Sequence, residues 1–138
     1  MREKLTEIVL QVVSMVPEGT ALSYKDVAEL IEYAGPRQIG RIMAVGGITV
    51  PWWGIVRADG SLPGHLFERA LPEYERENTP LKMYDGVAAR VDMKRARWVP
   101  TEIELEAIDR LAEPLHVGAS APDYWQGARS LSEPGGVL

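Results

Sequence analysis

Five side chains in the first half of this sequence, Tyr24, Arg37, Arg41, Trp52 and Trp53, are planar or cationic. Such groups stack on nucleobases and hold phosphates, and they need no catalytic partner beside them to do so. Tyr24 taken singly reads as a core aromatic, and Arg37 and Arg41, four residues apart, as a solvated helix face. The adjacent tryptophans are harder to bury together. Neighbouring side chains on an extended backbone point to opposite faces, so either Trp52 or Trp53 is expected to line a cleft or lie beneath another segment.

Enzymatic chemistry has less to stand on. The chain has no cysteine, which excludes disulfides, thiolate metal sites and a cysteine nucleophile. His65 and His116 are far apart and have no partners at ligand spacing, so no metal site is expected. No G-x-S-x-G elbow and no glycine-rich phosphate loop occurs, and Gly46-Gly47 reads as a helix stop. No catalytic residue and no cofactor is assigned.

The elements that must position the five side chains are legible from periodicity. Leu5, Ile8, Val9, Val12 and Val16 recur at helical spacing, predicting a helix over 2–16 that ends at Pro17-Glu18-Gly19. Ser23 followed by Asp26 is close to a capping box and opens a second helix, with Tyr24, Val27, Leu30 and Ile31 on its apolar face. Gly35-Pro36 breaks the chain and starts a third helix over 36–45, with Ile39, Ile42 and Met43 as its apolar stripe. Two helices joined by a tight turn, the second carrying arginines, outline a helix-turn-helix.

Beyond it, residues 48–56 read as extended chain, and Asp59-Gly60 as a hairpin-type turn that would make a wing. Residues 67–77 read as helix, with Pro72 as a kink or first-turn residue, and 86–91 as a short strand. Thr101 with Glu104 caps a helix to about Leu111. Residues 113–138 read as an irregular tail unless they dock through Tyr124 and Trp125. The expected class is mainly α, a winged helix-turn-helix-like domain over 1–100 with a short strand or hairpin wing, followed by a helix and tail over 101–138.

Bulk composition fits one domain that binds rather than spans. The 138 residues are 46% hydrophobic and 25% charged. No stretch approaches the roughly 18 apolar residues of a membrane span. The start of the chain does not read as a signal peptide, so a cytoplasmic location is expected. A net charge of −5 argues against nucleic acid at first sight. However, residues 1–66 hold six basic and seven acidic residues, against nine and thirteen in 67–138. The acidity is concentrated in the second half, which leaves room for a basic surface in the first.

The runs VPEGTALSYKDVAELI, GPRQIGRIM and VPWWGIVRADGSL, in this order and spacing, resemble the DNA-binding domain of 6-O-alkylguanine-DNA alkyltransferases. The family pattern is approximately I-P-x-G-x-V-[ST]-Y-x-x-[IVL]-A, then R-x-[VI]-G, then I-P-C-H-R-V-V-x-x-D-G. GVAARVDMKRARWVP looks like the segment that follows this domain in the cysteine-less branch. The family's nucleophilic cysteine is Trp52 in this chain, which is the mark of the alkyltransferase-like proteins.

The resemblance implies a monomeric, non-enzymatic sensor that flips 6-O-alkylguanine out of double-stranded DNA, holds it and flags it for nucleotide excision repair proteins. In that reading Tyr24 crowds the phosphate beside the target nucleotide, and Arg37 enters the stack in its place. Ser23, Gln38, Arg41, Arg57 and Ser61 are further DNA contacts, and Tyr24, Trp52, Trp53 and His65 form the lesion pocket. The family's histidine is here Trp53 and its following arginine is Gly54. Glu77 falls near the family's network glutamate, whose histidine partner is missing. The alternative reading is a winged-helix DNA- or protein-binding module that has lost lesion recognition and serves regulation.

Overall fold

The structure, a computed structural model, describes residues 2–116. Helix α1 (Arg2–Met15) leads through the Pro17–Gly19 turn to a two-residue strand β1 (Leu22–Ser23) and helix α2 (Tyr24–Ile31). Helix α3 (Pro36–Gly46) follows, then β2 (Ile55–Val56), α4 (Leu66–Glu77), the strands β3 (Leu81–Tyr84) and β4 (Val87–Val91), and helices α5 (Met93–Ala96) and α6 (Glu102–His116). The expected mainly helical, winged helix-turn-helix class holds.

The local signals at the helix starts are realised atom by atom. The Asp26 N–H donates to Ser23 Oγ at 3.0 Å and the Ser23 N–H to Asp26 Oδ2 at 2.9 Å, a complete capping box at the start of α2. The same Asp26 carboxylate pairs with Arg97, tying α2 to the chain after α5. Thr101 and Glu104 make the equivalent box for α6, at 2.8 and 3.2 Å. Pro36 stands in the first turn of α3, where its missing N–H costs nothing.

Two apolar clusters organise the chain. One gathers Leu5, Ile8, Val9, Val12 and Val13 of α1 with Val27, Ile31, Ile39 and Trp98. Ile108, Ala112 and Leu115 of α6 complete that same cluster, so α6 packs on α1 and α2. The other is built from Ala21, Val56, Leu62, Ala70, Tyr74, Val91 and Met93. Parallel pairing of β1 with β2, Leu22 opposite Ile55, stitches the two clusters together.

Several expectations are corrected. Residues 48–56 are not extended: they form two 3₁₀ turns, Gly47–Thr49 and Trp52–Gly54, and only Ile55–Val56 is strand. The hairpin wing lies not at Asp59-Gly60 but in β3–β4, with Leu81 opposite Val91. Strand β3 gave no period-2 signal, because its residues 82–84 are all exposed. Pro72 sits inside α4 rather than in its first turn, and burial of Ala70 and Tyr74 on either side holds the helix through it. Helix α6 continues past Leu111 to His116 despite Pro114, because Ala112 and Leu115 are buried and the His116 ring contacts the Ile31 carbonyl oxygen at 2.9 Å. The rest of the expected tail, with Tyr124 and Trp125, lies outside the described residues. Among those described, no helix is long and apolar enough to cross a membrane.

The Asp59-Gly60 turn itself is real and does a different job. The Arg57 N–H reaches the Ser61 carbonyl at 2.9 Å, and the Gly60 carbonyl accepts from the Val91 N–H at 2.9 Å, docking the turn on β4. Gly60 has φ +90°, and a Cβ there would collide with the Val91 carbonyl oxygen. Gly60→Ala is expected to destabilise the domain by roughly 3 kcal/mol, seen as a lowered thermal unfolding midpoint. An unchanged midpoint would show that the turn is not held against β4.

Candidate nucleic-acid interface

Helix α3 presents two working faces. Arg37, Gly40 and Ala44 follow one another at i, i+3 and i+7, so they share one ridge. Arg41 lies beside it, over a groove of about 300 Å³ between α3 and α1 lined by Leu5, Ile42 and Val45. Both guanidinium-bearing residues are exposed, and α3 contains no acidic residue. Gln38 stays local, its side chain accepting from the Gly35 N–H at 3.4 Å as a cap for the helix.

An open cavity of about 230 Å³ adjoins the Gly40 side of this ridge. Gly40, Met43 and Ala44 form one wall, Tyr24 and Trp52 others, and Ile48, Ile55, Leu62 and Leu66 are among the remainder. Gly40 leaves open space where a side chain would stand. The lining is largely apolar, with one cation. The Arg69 guanidinium carbon lies 5.8 Å from the Trp52 ring centroid, within cation–π range. Tyr24 is half-buried; burial raises its hydroxyl above the ordinary tyrosine value, and Arg57 pulls weakly the other way.

Trp53 does not line this cavity. The 3₁₀ turn replaces the extended backbone that would have sent the two indoles to opposite faces, and they meet edge-on at 78° with centroids 5.7 Å apart. Trp53 Nε1 donates to Glu77 Oε2 at 2.9 Å, and the Trp53 carbonyl accepts from the Tyr74 hydroxyl at 2.6 Å. Glu77 Oε1 takes the Gly19 N–H at 3.0 Å. The Glu77 side chain is only 6% exposed and ends α4, where the helix dipole disfavours a carboxylate. Three donors offset that cost: Gly19, Trp53 and the Arg76 guanidinium at 3.3 Å.

The remaining expected site residues are distributed around this centre. Ser23 is buried, and its hydroxyl oxygen is engaged in the α2 capping box. Arg57 is exposed on the turn that follows β2, and Ser61 Oγ donates to Asp59 Oδ1 at 2.6 Å on the same turn. That bond holds the Asp59 carboxyl below its usual range. His65 is exposed immediately before α4 and is not among the cavity-lining residues. The structure thus brings Tyr24 and Trp52 together beside the Arg37 ridge, and sets Trp53 and His65 outside the cavity. Sequence reasoning missed Met43, Leu66 and Arg69. Leu66 and Arg69 stand three apart on one helix face, but nothing in the sequence says that this face meets Trp52.

Comparison with known proteins gives concordant matches. Residues 4–83 match the family model of the 6-O-methylguanine DNA methyltransferase DNA-binding domain. The chain is 32% identical over 99 residues to a DNA base-flipping protein of Escherichia coli (strain K12), covering 65% of this chain and 70% of the relative. The same values relate it to a DNA base-flipping protein of Shigella flexneri. Among solved structures it resembles an S. pombe ATL in complex with DNA, at a TM-score of 0.58 and 19% identity over 71% of this chain and 97% of the other. S. pombe Atl1 in complex with damaged DNA containing O6-carboxymethylguanine gives a TM-score of 0.58 and 20% identity, over 72% and 98%. At such identities these two likenesses show a shared fold.

The tyrosines behind the site set an alkaline limit. Burial pushes the Tyr74 hydroxyl well above its ordinary value, with Tyr24 and Glu77 adding to the rise. Unfolded tyrosine loses its proton near pH 10, whereas the folded protein holds it to higher pH. Above about pH 10 the folded state therefore binds more protons, and stability falls as pH rises. Urea unfolding followed from pH 9 to 11.5 is expected to show this decline. Tyr74→Phe should flatten the slope while lowering stability at neutral pH by about 1 kcal/mol through loss of its bond to the Trp53 carbonyl. A slope that the substitution leaves unchanged would place the alkaline titration elsewhere.

Proposed function

The chain belongs to the family of the 6-O-methylguanine DNA methyltransferase DNA-binding domain, as an alkyltransferase-like protein; on that premise we propose that it recognises 6-O-alkylguanine in double-stranded DNA by base flipping. The observation that carries this reading is the open apolar cavity beside α3, with Trp52 in its wall. A thiol at that position could accept an alkyl group. An indole cannot, and the chain contains no cysteine to take over the task. The alkylated base would be held without being changed.

The energetics of such a step are reasonable. Extruding a nucleotide costs a few kcal/mol of stacking and pairing, and less where the pair is already weakened by the lesion. Tyr24 lines the cavity that receives the base, and Arg37 on the adjoining ridge is the residue to fill the gap left in the stack. Met43, Leu62, Leu66 and Trp52 offer apolar contact to the base and its alkyl group. Arg41, Arg57 and Arg69 add positive charge nearby, whereas Glu102, Glu104, Glu106, Asp109 and Glu113 are carried on α6, which packs on α1 and α2. This separation supports DNA binding despite the net charge of −5.

Because nothing is turned over, the useful output of binding is a stable marked complex. Handing that complex to nucleotide excision repair proteins, by a monomer in the cytoplasm, completes the proposal. Fluorescence anisotropy with duplexes containing guanine or 6-O-methylguanine tests its central step. The unsubstituted protein is expected to prefer the lesion, and Arg37→Ala to reduce that preference by roughly tenfold. Arg41→Ala should weaken both duplexes alike and lower the slope of log affinity against log salt by about one. Equal affinity for the two duplexes, or binding to neither, would overturn lesion recognition.

A further inference from the structure

We infer that Trp53 is a positioning residue for lesion discrimination, acting through Trp52 by way of its indole bond to Glu77. The inference rests on the lesion-recognition reading above and deepens it, because it identifies what keeps the cavity wall in place.

The turn Trp52–Gly54 makes few contacts of its own. Its backbone bonds are local: the Gly54 N–H to the Pro51 carbonyl at 3.3 Å, the Ile55 N–H to the Trp52 carbonyl, and the Trp52 N–H back to Val50. Long-range support comes from α4, through Tyr74 to the Trp53 carbonyl and through Trp53 Nε1 to Glu77. Both tethers end on Trp53 and neither on Trp52. Trp52 packs against the second core cluster, and two contacts set the angle of its ring: the neighbouring Trp53 ring, 5.7 Å between centroids, and the Arg69 guanidinium. Rotation of the Trp53 ring would remove the first of these and open the wall.

The Glu77 bond resists that rotation. The Glu77 side chain is nearly buried, and Trp53 turning away would leave Oε2 with only the longer Arg76 bond at 3.3 Å. A second cavity of about 200 Å³ behind the indole, lined by Val16, Pro51, Gly54 and Glu77, supplies the room into which an untethered ring could move. The indole N–H is a permanent donor that does not titrate at ordinary pH. Glu77 therefore keeps a donor at the position where the family's histidine stood, and the loss of that histidine is made good by its replacement.

The test compares Trp53→Phe, which keeps an aromatic ring but removes the donor, with Trp53→His, which restores one. Anisotropy titrations with guanine and 6-O-methylguanine duplexes give the ratio of the two affinities, and intrinsic fluorescence of Trp53→Phe against its Trp52→Phe double variant isolates the Trp52 contribution from Trp98 and Trp125. We expect Trp53→Phe to lower the lesion preference about tenfold, the loss of one bond to a charged acceptor, with affinity for the unmodified duplex little changed. Trp53→His should recover most of that ratio. Should Trp53→Phe fold poorly, Tyr74→Phe releases the other tether of the same turn and is expected to move the ratio in the same direction. A Trp53→Phe ratio equal to that of the unsubstituted protein, or equal weakening on both duplexes, would overturn the inference and leave lesion recognition standing. An unsubstituted protein that shows no preference would instead remove the reading on which the inference rests.

Discussion

A single nearly buried carboxylate holds together three parts of this chain that are distant in sequence. Glu77 ends α4, accepts from Gly19 in the turn before β1, and accepts from Trp53 in the turn before β2. The same two turns also lie against each other, with Thr20 close to Gly54, and feed the short β1–β2 pairing. A carboxylate at a helix C-terminus is locally unfavourable, and it persists because its donors come from elsewhere in the fold. Its bonds reach the turns that lead into β1 and β2, and α2 follows directly on β1. The cavity wall at Tyr24 and the wall at Trp52 therefore share one anchor.

The second determinant is the spacing of small and charged residues on α3. Gly40 and Ala44 keep one ridge low, so the cavity can open against the helix backbone, and Arg37 stands on the same ridge one turn earlier. Bulk at Gly40 would narrow the cavity without disturbing the core, since Ile39 carries the buried face. Helix α3 contains no acidic residue, whereas α6 carries five. A protein of net charge −5 can present a cationic reading face in this way, because screening confines surface charges to about a Debye length.

Replacing a thiol by an indole changes more than reactivity. The indole fills space, offers an apolar plane, and needs something to hold that plane at a useful angle. Trp53 and Arg69 both contribute to that, the first tied to α4 by a hydrogen bond and the second carried on α4 itself. The two consecutive tryptophans thus work as one unit. One faces the cavity, and the other faces the scaffold.

The helical frame was readable from the residues because its signals are local. Capping boxes at Ser23 and Thr101, Pro36 in a first turn, and apolar spacing in α1 each act within one helical turn, and each appears where the sequence puts it. Tyr24 and Trp52 as cavity residues were legible too, through the order and spacing of the motifs around them. What the residues alone could not reveal depends on contacts between segments far apart. The backbone at Trp52–Gly54 is a 3₁₀ turn rather than a strand because α4 grips it through Tyr74 and Glu77. Helix α6 runs past its proline because Leu115 finds the core of α1 and α2. Strand β3 is only four residues long, with residues 82–84 exposed, and it takes its register from β4. The sequence by itself determined α1 to α4 and the start of α6, though not the short α5, and that a tryptophan occupies the place of a nucleophile. Only the tertiary structure decided where the second tryptophan points, because that direction is chosen by a carboxylate 24 residues further along the chain.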